Sequence, residues 1–153
     1  MRTKTPKLKF QKYTPSKFEG CLELFELNSP AYFAEEERKD YRKFLEHERD
    51  IYLLGYQNNS LVCCFGITEH NIDLCSLDWI MVHPSRHKSG FGNEMMSCFI
   101  NYAKEKNKKT ALISTSQHAN NFFEKYGARE IAFIENGWGR GMHKINMRID
   151  FNL

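Results

Sequence analysis

With 153 residues, 41% of them hydrophobic and 14% aromatic, the chain has the apolar mass for the core of one ordinary domain and is not a disordered segment. A formal net charge of +3 suits an anionic ligand but is too small to mark a nucleic-acid binder by itself. The cysteines (Cys21, Cys63, Cys64, Cys75, Cys98) lack Cys-x-x-Cys spacing, no apolar run has membrane-spanning length, and the basic N-terminal stretch has no apolar h-region. Reduced, buried thiols in the cytoplasm are therefore expected, with no metal and no membrane partner.

Residues 7–13 alternate weakly through Leu8 and Phe10 and are expected as a first strand. Thr14-Pro15 offers a capping hydroxyl followed by proline at the first helical position. Phe18, Cys21, Leu22 and Phe25 then recur at helical spacing, predicting a helix to about Leu27 that Asn28-Ser29-Pro30 ends. A second, highly charged helix is expected over residues 32–48, with Phe33, Tyr41, Phe44 and Leu45 facing inward. Its Glu35-Glu36-Glu37 run favours the helix dipole and is expected as a solvated face, with an acidic rim for an amine as the alternative. Residues 51–56 and 61–67 are apolar runs joined by Gln57-Asn58-Asn59-Ser60, a hairpin signal. His70-Asn71 is a second turn, leading into a strand over residues 72–82.

The chain is organised around residues 77–103. Trp79-Ile80-Met81-Val82 is a continuous apolar run of the kind buried on both faces, and Pro84 stops it. His87, Lys88, Ser89, Gly90, Phe91, Gly92 and Asn93 turn the chain into a helix whose apolar face is Met95, Met96, Phe99, Ile100 and Ala103. A glycine-containing turn at a helix N-terminus leaves backbone N–H groups unpaired at the positive end of the dipole, a place for phosphate or diphosphate. The dinucleotide fingerprint and the P-loop are excluded, because there is no third glycine at the required place and no Gly-Lys-Ser/Thr. A short strand at Ala111-Leu112-Ile113 follows, then a helix over residues 114–127, capped by Thr115 or Ser116 and striped by Ala119, Phe122, Phe123 and Tyr126. Strands over residues 131–134 and 144–151, joined by a glycine-rich loop at residues 136–141, end the chain without any internal repeat.

Val82-x-Pro84 followed by His87-x-x-Gly90-x-Gly92 resembles the diphosphate-binding motif Gln/Arg-x-x-Gly-x-Gly/Ala of the GNAT family of N-acetyltransferases. His87 stands at the basic or amide position, with Arg86 beside it. Ala119-x-x-Phe122-Phe123-Glu124-Lys125-Tyr126-Gly127 resembles that family's Asn-x-x-Ala-x-x-Phe-Tyr-x-Lys-x-Gly-Phe segment, and the order of elements agrees along nearly the whole chain. The resemblance implies a mixed α/β single domain over residues 1–153, with a mostly antiparallel sheet, one splayed parallel strand pair and about four flanking helices. It implies acetyl-CoA as cosubstrate without a metal, and an amine of a small molecule or protein as acceptor; a homodimer is left open.

Carried over residue by residue, the resemblance assigns the diphosphate to residues His87 to Asn93, with Arg86 and Lys88 as charge partners. The thioester oxygen goes to backbone amides near Met81 and Val82. The pantetheine arm falls beside Ser116, where the family has asparagine, Asn121, and Phe123, where it often has an acidic tyrosine. Asp78 is the candidate base and Ser76 stands near a family glutamate position, with Glu69, His70 and His118 more remote. Asp78 reads equally as an edge carboxylate paired with a Lys or Arg. Trp138 and Arg140 stand where they would border the acceptor, with a lid on the core as the alternative for Trp138. Phe123 in place of tyrosine motivates the alternative of an acyl-CoA-binding module with little catalysis. Nucleic acid is not an expected partner, because Lys4, Lys7, Lys9, Lys12 and Lys17 lack interleaved aromatics.

Overall fold

The computed structural model describes residues 7–47 and 51–151. Lys4 of the basic run and Glu48, the expected end of the second helix, lie outside the described residues. The elements are β1 (Lys9–Lys12), α1 (Phe18–Asn28), α2 (Glu37–Glu46), β2 (Ile51–Gln57), β3 (Ser60–Glu69), β4 (Leu74–Val82), α3 (Phe91–Glu105), β5 (Thr110–Thr115), α4 (Asn120–Glu124), β6 (Arg129–Gly139) and β7 (Met142–Asp150). The strands form one seven-stranded sheet in the order β1-β2-β3-β4-β5-β7-β6. Every neighbouring pair is antiparallel except β4 and β5, so the mixed α/β architecture expected from the sequence is the one observed.

Strand alternation divides the core in two. Cys63, Phe65, Cys75 and Leu77 send their side chains to the face covered by α3 and α4, where Phe91, Met95, Met96, Phe99 and Phe123 meet them. Cys64, Tyr52, Leu54 and Met81 face the other way, under Cys21, Leu24 and Phe25 of α1 and Tyr41 and Leu45 of α2. Each fully buried α3 side chain contributes about 2 kcal/mol of apolar transfer, enough to hold the helix's open N-terminus in place. All five cysteines are free thiols, and burial raises the pKa of Cys63 to about 12 and that of Cys75 to about 11, so neither is a ready nucleophile.

Two irregularities in β4 position the site. Its parallel pairing with β5 runs from Leu74↔Thr110 to Leu77↔Ile113 and stops there. On the other edge, Cys64 pairs with Met81 and Gly66 with Asp78, so Trp79 and Ile80 together oppose Phe65. This is a bulge, and Trp79 sits in it at φ 46°. The Trp79 carbonyl accepts from the buried Tyr52 hydroxyl (3.0 Å), which also reaches Cys64 Sγ (2.9 Å) and Tyr41 Oη (2.8 Å). Beyond Leu77, β4 stays with β3 while β5 stays with β7, and the two strands part.

Three expected elements are corrected. The second helix begins at Glu37, not residue 32, because the Tyr32 and Phe33 amides both turn back to the Asn28 carbonyl (2.8 and 3.1 Å). The helix expected over residues 114–127 is α4 alone, Asn120–Glu124, since β5 runs on to Thr115 and the Ser116 carbonyl is taken by Ala119 and Asn120 N–H. The glycine-rich loop is largely strand: β6 extends to Gly139, Asn136 takes φ 53°, and only Arg140 and Gly141 separate β6 from β7. At the start of the chain, Thr14 makes no side-chain cap, because its hydroxyl bonds Ser16 Oγ (2.9 Å) above a 3-10 turn at Pro15–Lys17.

Candidate active site

A cavity of about 700 Å³ fills the parting between β4 and β5. At one end it meets the N-terminus of α3, whose cap is Gly90 at φ 82°, a conformation that favours glycine. A Cβ there would meet nothing within 4 Å, so the cap faces open space. The first intrahelical bond is Glu94 N–H to Gly90 C=O (3.2 Å), leaving the Phe91, Gly92 and Asn93 amides as the orphan donors of the helix. Gly92 packs under Phe122: a Cβ on it would stand 2.9 Å from the ring. Phe91 is a buried anchor, and the Ser89 amide is already used within the turn, on Arg86 C=O (3.1 Å). Arg86 and Lys88 are exposed.

His87 is not aimed outward as a cationic arm. Its Nε2–H donates to the Val82 carbonyl (3.0 Å), and its ring meets the edge of Tyr32 at 4.7 Å. The His83 amide donates across to Val62 C=O (2.7 Å), so alternation turns the Val82 N–H the other way, into the cavity. Met81 contributes its buried side chain to the cavity wall while its amide, by the same alternation, faces β3.

Along the floor, Asp78 accepts from the Ser76 hydroxyl (3.0 Å) and the Thr68 hydroxyl (2.5 Å), and Ser76 Oγ also bonds His70 Nε2 (2.9 Å). Hydroxyls, not a Lys or Arg, are therefore the partners of Asp78. Glu69 lies off this chain in an ion pair with Lys108 (2.9 Å). On the α4 side, buried Ser116 accepts the His118 amide on its hydroxyl (3.2 Å), and Phe123 lines the wall without any proton to give. Asn121 is exposed and outside the lining. Asn93 has its side-chain oxygen engaged by the Tyr126 hydroxyl. Trp138 lines the cavity, its indole N–H on Thr115 C=O (2.8 Å), whereas Arg140 is exposed and its amide donates to Glu36 (3.3 Å).

Glu37 was singled out by the sequence only within a run expected as a solvated face, with an acidic rim as the alternative. It is 5% exposed and lines the cavity, so the last acid of the Glu35-Glu36-Glu37 run is not part of a solvated face. Oε2 accepts the Ala34 amide (2.8 Å), while Oε1 bonds to no described residue. Burial, reinforced by Asp40 and Glu36 and opposed by the Ala34 amide and Lys144, pushes its pKa up to about 7. The signal was present in the spacing: Glu37 lies four residues before Tyr41 and eight before Leu45, on the buried stripe of its own helix.

Among the described residues there is no group of three or more His, Cys, Asp or Glu side chains that could hold a metal, and no helix long and apolar enough to cross a membrane. The model of the acetyltransferase (GNAT) family matches residues 21–128. In fold the chain is similar to the ribosomal-protein-S18-alanine N-acetyltransferase from Escherichia coli, at 14% identity and TM-score 0.79 with 95% of each chain covered. It is also similar to a GNAT family acetyltransferase from Elizabethkingia anophelis solved with acetyl-CoA bound, at 18% identity and TM-score 0.70, covering 96% of this chain and 100% of that one. A third likeness is to the aminoglycoside 6'-N-acetyltransferase from Enterococcus faecium, at 15% identity and TM-score 0.70, covering 93% and 96%. No curated protein sequence matches.

Proposed function

The chain belongs to the acetyltransferase (GNAT) family, and from that premise we propose that it works as a single-domain N-acetyltransferase, moving the acetyl group of acetyl-CoA directly to a primary amine of a small molecule or protein. Family membership supports acetyltransferase-type activity in general. One observation carries the finer reading: a single cavity extends from His87 and Gly92, through the β4/β5 parting, to Glu37. The residues fit a diphosphate at the α3 end, where orphan amides and the helix dipole face the open space at Gly90. Glu94, the acid of that first turn, is turned away onto the Lys7 and Leu8 amides (2.9 and 3.1 Å).

Acetyl-CoA supplies an acyl carbon already activated as a thioester, so positioning accounts for much of the rate. The Val82 N–H is the donor for the oxygen on which negative charge builds. His87 braces the carbonyl of the same residue. Glu37, with a free oxygen, suits removal of a proton from an ammonium. Asp78, with both oxygens on hydroxyls, suits carrying a proton away through Ser76 and His70, which is exposed. Because Phe123 has no proton to give, the departing sulfur takes its proton from solvent or from the amine.

Calorimetry with acetyl-CoA and thiol release in the presence of an amine panel test the reading together. Micromolar acetyl-CoA binding with amine-dependent thiol release is expected. A folded protein without affinity for acetyl-CoA overturns it. Binding without release by any amine favours the second reading that Phe123 motivates, an acyl-CoA-binding module.

A further inference from the structure

We propose that the acceptor is a singly charged primary amine on an apolar, ring-bearing body, its ammonium on Glu37 and its body among Tyr32, Phe33, Trp79 and Trp138. The inference rests on the N-acetyltransferase reading above and names the substrate class of that site. These rings come from three separate parts of the chain, the segment after α1, the β4 bulge and β6, and all line the same cavity as Glu37. Trp79 is held by stacking on Phe33 (centroids 6.1 Å apart, planes 22° apart) and by contact with Tyr41 at 5.0 Å. The bulge that opens β4 therefore also sets an indole into the wall. Aromatic faces attract an alkylammonium and pack against an apolar ring, and they do so best when water is excluded.

The charge count along the wall points the same way. Its carboxylates are Glu37 and Asp78, and the oxygens of Asp78 are both occupied by hydroxyls. Each Asp78 oxygen thus has one lone pair engaged, whereas Oε1 of Glu37 accepts from no described residue. At the rim, Glu36 already accepts the Arg140 amide, and Lys144 lies 4.8 Å over the Trp138 ring. A polyamine or an aminoglycoside would bring more ammonium groups than the two carboxylates of this wall. Tyr32, meeting His87 at 4.7 Å and His118 at 6.3 Å, adds its ring to the wall between them.

The transfer balances with Glu37 as the base. The ammonium proton moves to the Glu37 carboxylate, and the freed lone pair forms the C–N bond to the acetyl carbon. The C–S bond breaks with its electron pair on sulfur, which receives the second nitrogen proton through solvent, and Glu37 returns its own proton to solvent. The charged and titratable groups facing Glu37 are Glu36 and Asp40 beside it in sequence, Lys144 from β7, and Asp78, His70 and His118 across the cavity.

The sequence holds two tryptophans, Trp79 and Trp138, and both line the cavity, so intrinsic fluorescence reads occupancy directly. 2-Phenylethylamine should change that fluorescence saturably and show kcat/KM at least about 100-fold above spermidine, kanamycin or an alanine-terminated peptide. Glu37→Gln keeps an acceptor for the Ala34 amide and should still bind acetyl-CoA in calorimetry. Its kcat/KM should fall by about 100-fold or more, and the rise in rate through pH 7 should disappear. Preference for spermidine, kanamycin or the peptide, or a Glu37→Gln enzyme within threefold of wild type, overturns the assignment while leaving the N-acetyltransferase reading intact. Failure of the wild type to bind acetyl-CoA removes both.

Discussion

The two ends of the cavity are made of different material. The α3 end is main chain: amides of Phe91, Gly92 and Asn93, the bare Gly90 cap, and the Val82 N–H. The α2 end is side chain: one buried carboxylate and a set of aromatic rings drawn from segments up to about a hundred residues apart, Tyr32 to Trp138. A main-chain site tolerates changes in neighbouring side chains and fails when one glycine acquires a charge. A side-chain site fails one residue at a time, and its ligand can change without disturbing the fold. Under the proposed function, cofactor use and acceptor choice are then separable, which a set of substitutions can break or sharpen.

The largest effect is expected at the main-chain end. Gly90→Glu places a carboxylate in the open space beside the orphan amides and should weaken acetyl-CoA binding by about 1000-fold or more in calorimetry. Gly90→Ala carries the same left-handed strain, about 1–2 kcal/mol, without the charge, and should lose less than about tenfold. Equal losses in the two variants would mean that backbone geometry, not an anion, matters at this cap.

At the side-chain end the next effect is one of stability. With its pKa raised to about 7, Glu37 stays protonated in the native state where the unfolded chain has already lost that proton. The native state then binds more protons between about pH 4.5 and 7, so stability falls as pH rises through that window and the full penalty, on the order of 3 kcal/mol, stands above pH 7. Glu37→Gln should therefore be more stable than wild type at pH 8 by up to about 3 kcal/mol and equal to it at pH 4 in urea unfolding. An unchanged difference across that range would mean that Glu37 is no more proton-hungry than a surface acid.

A smaller effect tests the seam between the ends. Gly92→Ala presses a methyl group against Phe122, and overpacking of this kind costs about 1–3 kcal/mol. Adding Phe122→Leu should recover part of that loss and part of the acetyl-CoA affinity. Simple additivity in the double variant would show that the close approach of α3 and α4 does not shape the cofactor end.

The same contrast explains what could be read from the residues. The turn around Gly90 and Gly92 was legible because its parts are neighbours in sequence: strand, proline, turn and helix follow one another. The β2–β3 hairpin was legible through Asn58-Asn59, whose φ values of 49° and 69° match a two-residue turn, and β7 through the alternation of Ile145, Met147 and Ile149. Glu37 was hidden by its company, since three consecutive glutamates suggest solvent and only the four-residue spacing to Tyr41 shows which one turns inward. From sequence Trp79 reads as an ordinary buried strand residue, because a bulge depends on the register with β3 and has no local signature. The length of α4 was overestimated for a related reason: Ser116 and Gly127 look like caps, yet β7 pairs residues 114 and 115 into the sheet first.

Phe123→Tyr has the smallest expected effect and bears on both ends at once. Phe123 is buried against α3 yet lines the cavity, so a hydroxyl added to its ring lies at the parting where the proposed function puts the departing thioester sulfur. If the wild type relies on solvent or on the amine's second proton, the new acid should raise kcat by about tenfold while leaving acetyl-CoA affinity unchanged. A rise in kcat with one amine and not another would tie the proton source to the acceptor, and the side-chain end would then govern departure as well as attack. No rise with any amine, in a variant that still binds acetyl-CoA, would mean that departure is not limiting and that the Glu37 proton transfer sets the rate.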